Sequence, residues 1–392
     1  MMKADFIDEL LDGVEVVWTP LGEVADYEQP TKYLVKSQNY SDDFKTPVLT
    51  AGKTFILGYT DETNGIYNAS KNPVIIFDDF TTANKWVDFD FKAKSSAMKM
   101  ITSKNESVIL LRYIYHWINT LPSGLIEGDH KRQWISNYSY KLIPIPPLNI
   151  QAEIVRILDT FTELTAELTA ELAARKKQYN YYREQLLTFE EGEVEWERLG
   201  DVGEFIRGKR FVKTDIILEG VPCIHYGEMY THYNIWAGEA KSYISEELAI
   251  KLRKATYGDV VMVAAGETIE DIGRGTAWLG DEDIVIHDAC FFYKSSLNPK
   301  YVAYYTRTKS FHDQIRKSIS SGKISAINAK GFEKVIIPVP SPDEQARIVS
   351  ILDKFDALTS SITEGLPREI ELRQKQYEYY RNMLLSFPKE GV

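Results

Sequence analysis

Cysteine is nearly absent. The 392-residue chain holds two, Cys223 and Cys290. Two cysteines do not make the disulfide framework of a small secreted scaffold, so a reducing cytoplasm is the expected setting. Long apolar runs are missing as well. The longest, near Val260 to Ala265, is far too short to span a bilayer, and the acidic opening MMKADFIDELLDG has no apolar core of signal-peptide length. No membrane role is expected. Positive charge is also scarce: 46 Lys and Arg face 57 Asp and Glu, a net charge of −11. That excludes a generally basic nucleic-acid coat and leaves only local basic patches for binding a polyanion.

Catalytic signatures are absent too. Gly203, Gly208 and Lys209 have the spacing of a phosphate-binding loop, but Arg210 stands where Ser or Thr must hold magnesium. Asp271 to Gly275 is only half a dinucleotide fingerprint and reads as a turn. There is no Asn/Asp-Pro-Pro-aromatic tetrapeptide of the kind an adenine-N6 methylase uses. Pro342, Asp343, Glu333 and Lys334 lack the order of a nuclease site. Cys223, His225 and His232 lack paired zinc spacing. A stand-alone nuclease or methylase is therefore the weakest reading, and no catalytic, cofactor or metal residue is assigned.

What the chain does have is one long helical stretch, Gln151 to Phe189. Ile154, Leu158, Phe161, Leu168, Leu172, Tyr179, Tyr182 and Leu186 alternate at spacings of four and three, with Thr165 and Arg175 filling two steps. That is a coiled-coil seam. No Gly or Pro interrupts it, and at 1.5 Å per residue it would reach roughly 55 Å. Such a rod separates globular parts rather than filling one core.

The same text returns later. The segment Ile143 to Phe161 matches Ile337 to Phe355, 194 residues on (337 − 143). Arg175 to Phe189 matches Arg373 to Phe387, 198 residues on (373 − 175). The second copy thus gains four residues, about one helical turn. Trp18 to Val24 matches Trp196 to Val202. The chain is a tandem duplication of a block followed by a helix. The expected parts are a first globular domain over 1–147, a central helix over 148–189, a second domain over 190–342 and a last helix over 343–392. Both blocks read as mixed α/β and rich in strands. Strands are expected at Pro47 to Thr50, Thr54 to Tyr59, Pro73 to Phe77, Val221 to Tyr226, Asp259 to Ala264 and Asp283 to Ile286. Helices are expected at 1–17, Val108 to Asn119 and Tyr301 to Ser318. Gly365 and Pro367 should break the last long helix, with Pro367 opening a new stretch.

Basic residues cluster locally. Lys92, Lys94, Lys99 and Lys104 lie in a stretch without one acid, and Lys85 stands just upstream. Arg207, Lys209 and Arg210 form another group. Arg307, Lys309, Arg316, Lys317, Lys323 and Lys330 form a third, beside Asp313 alone. Each cluster by itself is equally a solvated face. One in each duplicated block favours contact with a DNA backbone. Tyr179, Tyr181 and Tyr182, with Tyr377, Tyr379 and Tyr380, are more aromatic than a two-helix seam needs. Tyr179, Tyr182, Tyr377 and Tyr380 are candidates for docking a partner subunit. The competing reading is a protein-binding adaptor with two modules on a helical arm.

Trp18-x-x-Leu-Gly and Trp196-x-x-Leu-Gly, the Ile-Pro-x-Pro segments at 143–146 and 337–340, Gln151-Ala-Glu-Ile-Val and Gln345-Ala-Arg-Ile-Val, the Thr-Ala-Glu-Leu units at 165–168 and 169–172, and the Gln-Tyr-x-Tyr-Tyr-Arg runs at 178–183 and 376–381 together resemble the specificity (S) subunit of type I restriction–modification enzymes. The resemblance spans essentially the whole chain. It implies an α+β fold: two α/β target-recognition domains in tandem, separated by two long antiparallel coiled-coil helices in a pseudo-two-fold arrangement. It implies a non-catalytic reader of a split double-stranded DNA target and a scaffold for two methyltransferase subunits and for motor–nuclease subunits. S-adenosylmethionine, ATP and magnesium would belong to those partners.

Overall fold

A computed structural model describes residues 10–52, 54–122, 132–320, 322, 324–361 and 363–388. Residues 1–9, with Phe6 and Ile7 of the helix expected over 1–17, lie outside them. The chain forms two compact units: residues 1–168 with 370–392, and residues 169–369.

The first unit contains β1 (Val17–Pro20), β2 (Ala25–Glu28), β3 (Thr46–Leu49), β4 (Ile56–Thr60), β5 (Val74–Asp78), β6 (Asn84–Val87), β7 (Lys92–Ala93), β8 (Met98–Ser103) and β9 (Leu142–Ile145). A four-stranded sheet runs β2-β8-β5-β6, and a three-stranded sheet runs β4-β3-β7. Every residue of β5 is buried. Its unbroken Val-Ile-Ile-Phe run suits a strand covered on both faces. The Leu111–Ile118 helix packs Tyr113, Ile114 and Trp117 into the core beside Ile75 and Phe77.

The second unit repeats the plan with β10 (Glu195–Arg198), β11 (Gly203–Arg207), β12 (Val221–Ile224), β13 (Trp236–Ala237), β14 (Ser242–Ile244), β15 (Lys254–Ala255), β16 (Val260–Val263), β17 (Ala265–Gly266), β18 (Gly275–Trp278), β19 (Ile284–Ile286), β20 (Cys290–Ser295), β21 (Ser325–Ala326) and β22 (Ile336–Val339). Its sheets run β11-β20-β16-β18-β13 and β14-β12-β19-β15. Strand for strand, β2-β8-β5-β6 corresponds to β11-β20-β16-β18. The smaller sheets agree as well: β3 pairs antiparallel with β4 and parallel with β7, and β12 does the same with β14 and β19. The helix expected over Tyr301 to Ser318 is two, Pro299–Tyr305 and Lys309–Arg316. Thr308 breaks the run because its hydroxyl accepts the Phe311 N–H and caps a new start.

The repeated motifs meet in space within each unit. Trp18 lies opposite Pro144 in the β1–β9 ladder, and Trp196 opposite Pro338 in the β10–β22 ladder. The prolines are tolerated because each ladder has only two strands. The Leu-Gly step then turns the chain. A Cβ on Gly200 would come within 2.8 Å of Glu333 Cβ, and one on Gly22 within 3.0 Å of Ser139 Cβ. At Gly200 an added Cβ would force a shift, and at Gly22 the fit would be tight.

Two side-chain clamps tie each globule to the long helix that follows it. The buried Gln151 accepts the Leu110 N–H and donates to the carbonyls of Val108 and Pro146. Gln345 accepts the Asn298 N–H and donates to the Pro340 carbonyl. Asp159 receives Arg112 and His116, both at 2.8 Å. Asp353 receives Lys300 at 2.8 Å and the Tyr304 hydroxyl at 2.7 Å. Each clamp cation also lies over a tryptophan: Arg112 over Trp86 at 4.5 Å, Lys300 over Trp236 at 4.4 Å. Burial pushes the Asp159 carboxyl up, but the His116 and Arg112 bonds outweigh it and hold it low.

The central helix runs Leu148–Leu186, 39 residues. Within the first unit Phe161 stacks on Tyr380 of the last helix at 5.3 Å. Within the second, Tyr179 and Tyr182 stack on Phe355 at 6.3 and 5.4 Å. From Asp159 to Gln178 no side chain is buried. Past Phe161, which packs against the first unit's core, helix propensity and pairs such as Glu171–Arg175 favour the helix. The last long helix is broken as expected, into Pro342–Ser360 and Gly365–Leu384. Among the described residues no helix is long and apolar enough to cross a membrane.

Changing Gln151 to Ala should cost about 2–4 kcal/mol, since several buried backbone groups lose their partner at roughly 1–3 kcal/mol each. Urea unfolding of the chain measures this. A midpoint equal to that of the unchanged chain would remove the clamp from the account.

Candidate DNA interface

In both units the same three connections form one edge of the sheets. In the first unit, the chain leaving β7 donates from Lys94 N–H to the Leu49 carbonyl at the end of β3. The β5–β6 tip, residues 79–83, docks on the β7–β8 loop through Asp79 N–H to the Ala97 carbonyl. In the second unit, His287 N–H at the end of β19 donates to the Ile224 carbonyl at the end of β12. There the β16–β18 connection, residues 264–274, docks on the β19–β20 loop through Ala264 N–H to the Ala289 carbonyl. The second edge carries a further segment. Gly208 and Lys209 donate to the Cys290 and Ile286 carbonyls. A Cβ on Gly208 would lie 2.3 Å from the Ile286 and His287 oxygens, so the basic run 207–210 can lie there only with glycine in it.

The structure sorts the candidate cations. Lys94 lies on the first edge, its ammonium donating to the Tyr40 hydroxyl at 3.1 Å. Arg207, Lys209 and Arg210 lie on the second edge and are exposed. Arg207 donates to the Asp288 carbonyl and Lys209 to the Lys251 carbonyl, while Arg210 is exposed beside them. Lys85 is exposed on β6, just past the first unit's tip. Arg316 and Lys317 are exposed at the end of the Lys309–Arg316 helix. Lys323 lies outside the described residues.

Two lysines are corrected. Lys92 has 2% of its side chain exposed and pairs with Glu62 at 3.0 Å. Lys99 is fully buried, 3.6 Å from Asp79 and 4.8 Å from the Tyr27 ring centre. Both occupy stretches of β7 and β8 in which consecutive side chains are buried, so both faces of the strand are covered there. Neither can touch a phosphate. Lys104 is exposed along its stem, but its ammonium donates to the Gly22 carbonyl at 2.7 Å. Arg307 is a structural group too. It donates to the Asn234 and Gly275 carbonyls, and burial, with Arg274 nearby, pushes it down to about 9.

The buried pair shapes the first reading tip. Asp79 accepts the Trp134 N–H at 2.8 Å, and Asp78 accepts the Phe80 and Thr81 N–H groups. Thr82 is buried at φ 61°, a conformation that L-residues pay for. Phe80 is left 42% exposed on the tip.

Three of the four candidate docking tyrosines are internal glue. Tyr179 and Tyr380 are buried in the stacks described above, and the Tyr377 hydroxyl lies 3.1 Å from His116 Nδ1. Tyr182 keeps 39% exposure. The most open members of the two runs are Tyr181 at 60% and Tyr379 at 59%, 198 residues apart in equivalent places.

Comparison with known proteins meets this geometry. The family model for the type I restriction modification DNA specificity domain matches residues 14–175 and again 193–372. The chain belongs to the type I restriction–modification DNA specificity family. It is 53% identical to the type I restriction enzyme EcoR124I/EcoR124II specificity subunit of Escherichia coli, over 99% of this chain and 98% of that one. It is 33% identical to a putative type I restriction enzyme specificity subunit of Haemophilus influenzae, over 97% and 98%. Its fold resembles that of a type I restriction–modification S subunit from M. genitalium, with TM-score 0.57 and 13% identity over 96% and 98% of the two chains. The specificity domain occurs twice here, and each copy carries one loop edge.

Sequence reasoning passed over several groups on these edges. Phe211, His225, Tyr226 and His287 cluster on the second, with His225 and His287 ring centres 4.8 Å apart. The signal was present: two apolar runs, 221–224 and 283–286, each end in histidine, and the two runs turn out to be parallel neighbours.

Lys99→Met should destabilise the first unit by about 3–5 kcal/mol, because Asp79 is left buried without a counter-charge. Its salt slope for DNA should stay unchanged. Lys85→Ala and Arg210→Ala should each lower that slope by about one and leave stability alone. Titrating DNA binding against salt, beside urea unfolding, separates the classes. Loss of slope in the Lys99 variant would reverse the assignment. Burial also lowers His116, His225, His287 and His312. Below pH 6.5 the unfolded chain then binds protons that the folded chain refuses, so stability should fall as pH drops from 7 toward 5. Urea midpoints across that range check the sign.

Proposed function

We propose that this specificity subunit reads a two-part double-stranded DNA target, the first unit's edge taking one part and the second unit's edge the other, with no bond-making of its own. The observation that carries this is the repeated edge. Corresponding connections present different side chains: Lys94, Tyr40 and Phe80 in one unit, Arg210, His225, Tyr226 and His287 in the other. One scaffold with two different edges suits a target whose halves differ. Cations on the edges would hold phosphates, and neighbouring polar and aromatic groups would meet base edges.

A type I specificity subunit works within a larger assembly. In our reading the partners are two methyltransferase subunits and the motor–nuclease subunits, which bring S-adenosylmethionine, ATP and magnesium, in the cytoplasm. Tyr181 and Tyr379, open and equivalent, are where the methyltransferase subunits would dock. The Thr-Ala-Glu-Leu stretch would act as a ruler. It belongs to no core, so its length can change without unfolding either unit.

Exchanging residues 20–140 for those of another family member should alter one half of the methylated site, as mapped by sequencing modified bases; change in both halves would refute the division. Deleting Thr165–Leu168 removes about 6 Å with little rotation and should shorten the tolerated gap by about one to two base pairs. An unchanged gap would end the ruler idea.

A further inference from the structure

A cleft of about 560 Å³ opens beside the end of β12 in the second unit. It is lined by Lys213, His225, Tyr226, Glu228, Lys241 and Ser242. One wall is aromatic. The His225 and Tyr226 rings lie 4.6 Å apart, backed by His287 at 4.8 and 5.1 Å. Phe211 supports His287 from behind at 5.1 Å. This wall sits on the parallel strand ends β12 and β19, on the edge that the exposed Arg210 also occupies.

The floor of the cleft is a carboxylate. Glu228 is 8% exposed. One of its oxygens accepts the Ser242 hydroxyl and the other accepts the His225 N–H at 2.9 Å. Each carboxylate oxygen has about two acceptor positions, so each retains one. Among the described residues no cation pairs with it within 4.0 Å, although Lys213 and Lys241 line the same opening. A buried carboxylate that is held by neutral donors, aimed into a cleft and flanked by rings selects for a flat ligand that carries an N–H donor. It rejects a phosphate at the floor while the lysines accept one at the rim.

We propose that this cleft receives the edge of a base bearing an exocyclic amine, cytosine or adenine, in the second part of the DNA target, and that Glu228 is a specificity-determining residue accepting from that amine. The proposal rests on the DNA-reading function above. Acceptance by Glu from the cytosine N4 amine is an established pairing in the major groove, and adenine N6 offers the same kind of donor beside its N7 acceptor. Tyr226 and His225 would lie against the neighbouring base or the sugar, and Lys213 and Lys241 would hold the backbone.

The test uses the full chain assembled with its methyltransferase subunits. Methylation is mapped, and binding is measured on duplexes varied at each position of the second half-site. Glu228→Gln keeps the side chain's shape: its oxygen can still accept the His225 backbone N–H and its amide nitrogen can donate to the Ser242 hydroxyl, so the face offered to the cleft exchanges an acceptor for a donor. Discrimination at one position of the second half-site should fall by roughly 10- to 100-fold, the worth of one good base contact. The first half-site should be read as before, which also reports that the assembly is intact. Tyr226→Ala, at a side chain 39% exposed, should weaken binding to the cognate duplex and carries the test if the glutamine variant fails to assemble. Lys213→Ala with Lys241→Ala should weaken all sequences alike. Unchanged preference at every second-half position in both the Gln and Ala variants would overturn the proposal. Exchanging residues 190–342 as a block separates the two claims: if that exchange changes the second half-site while the point variants do not, the cleft assignment alone fails. If it changes neither half, DNA reading itself fails.

Discussion

Everything in this molecule depends on how a globule is fastened to a helix. Gln151 and Gln345 sit in the first turns of long helices and satisfy backbone groups of the preceding block, and Asp159 and Asp353 receive a cation and a hydroxyl or imidazole from its helix two turns further on. Between them these groups fix translation and rotation. A buried amide with two or three partners tolerates no sliding, because each slip orphans a backbone group. A reader whose meaning depends on where its edge points needs such a fastening, and the duplication supplies it twice with slightly different chemistry. Arg112 with His116 serves one unit and Lys300 with Tyr304 the other.

That shared frame throws the differences into relief. Strand order, parallel and antiparallel pairings and the tryptophan–proline ladders agree between the units. The edges do not. The first tip is short and held by Asp78, Asp79 and a strained Thr82 above a fully buried Lys99. The second connection is longer, and beside it lies a basic run admitted only because Gly208 has no side chain. Frame and edge obey different constraints: the frame must satisfy every buried polar group, while the edge is free to vary so long as its roots in β5, β8, β16 and β20 stay buried.

The central helix illustrates a third constraint. Its ends are core and its middle is not. Phe161 and Tyr179 are each committed to a stack within one unit, and none of the residues between them is buried. Such a segment can lose or gain a turn at small cost to either globule, which is the property a spacer requires.

The long helix, its break before Pro367, the duplication and the buried β5 and β16 were legible in the residues because each is a matter of periodicity, local chain stiffness or repeated text. The basic clusters were legible only as composition. Lys92, Lys94 and Lys99 look alike on paper, yet Lys94 is half-buried at the edge and the other two are counter-charges inside, because the layers that cover both faces of β7 and β8 decide which are enclosed. Tyr179 and Tyr182 are likewise separated only by what packs against them. Alone, the sequence determined the family, the tandem plan and the rod, since these rest on spacing along one chain. Tertiary structure decided which cations are free, which tyrosines are open and that His225, His287 and Glu228 share a cleft. Those facts depend on strands distant in sequence lying side by side, and no local rule encodes that.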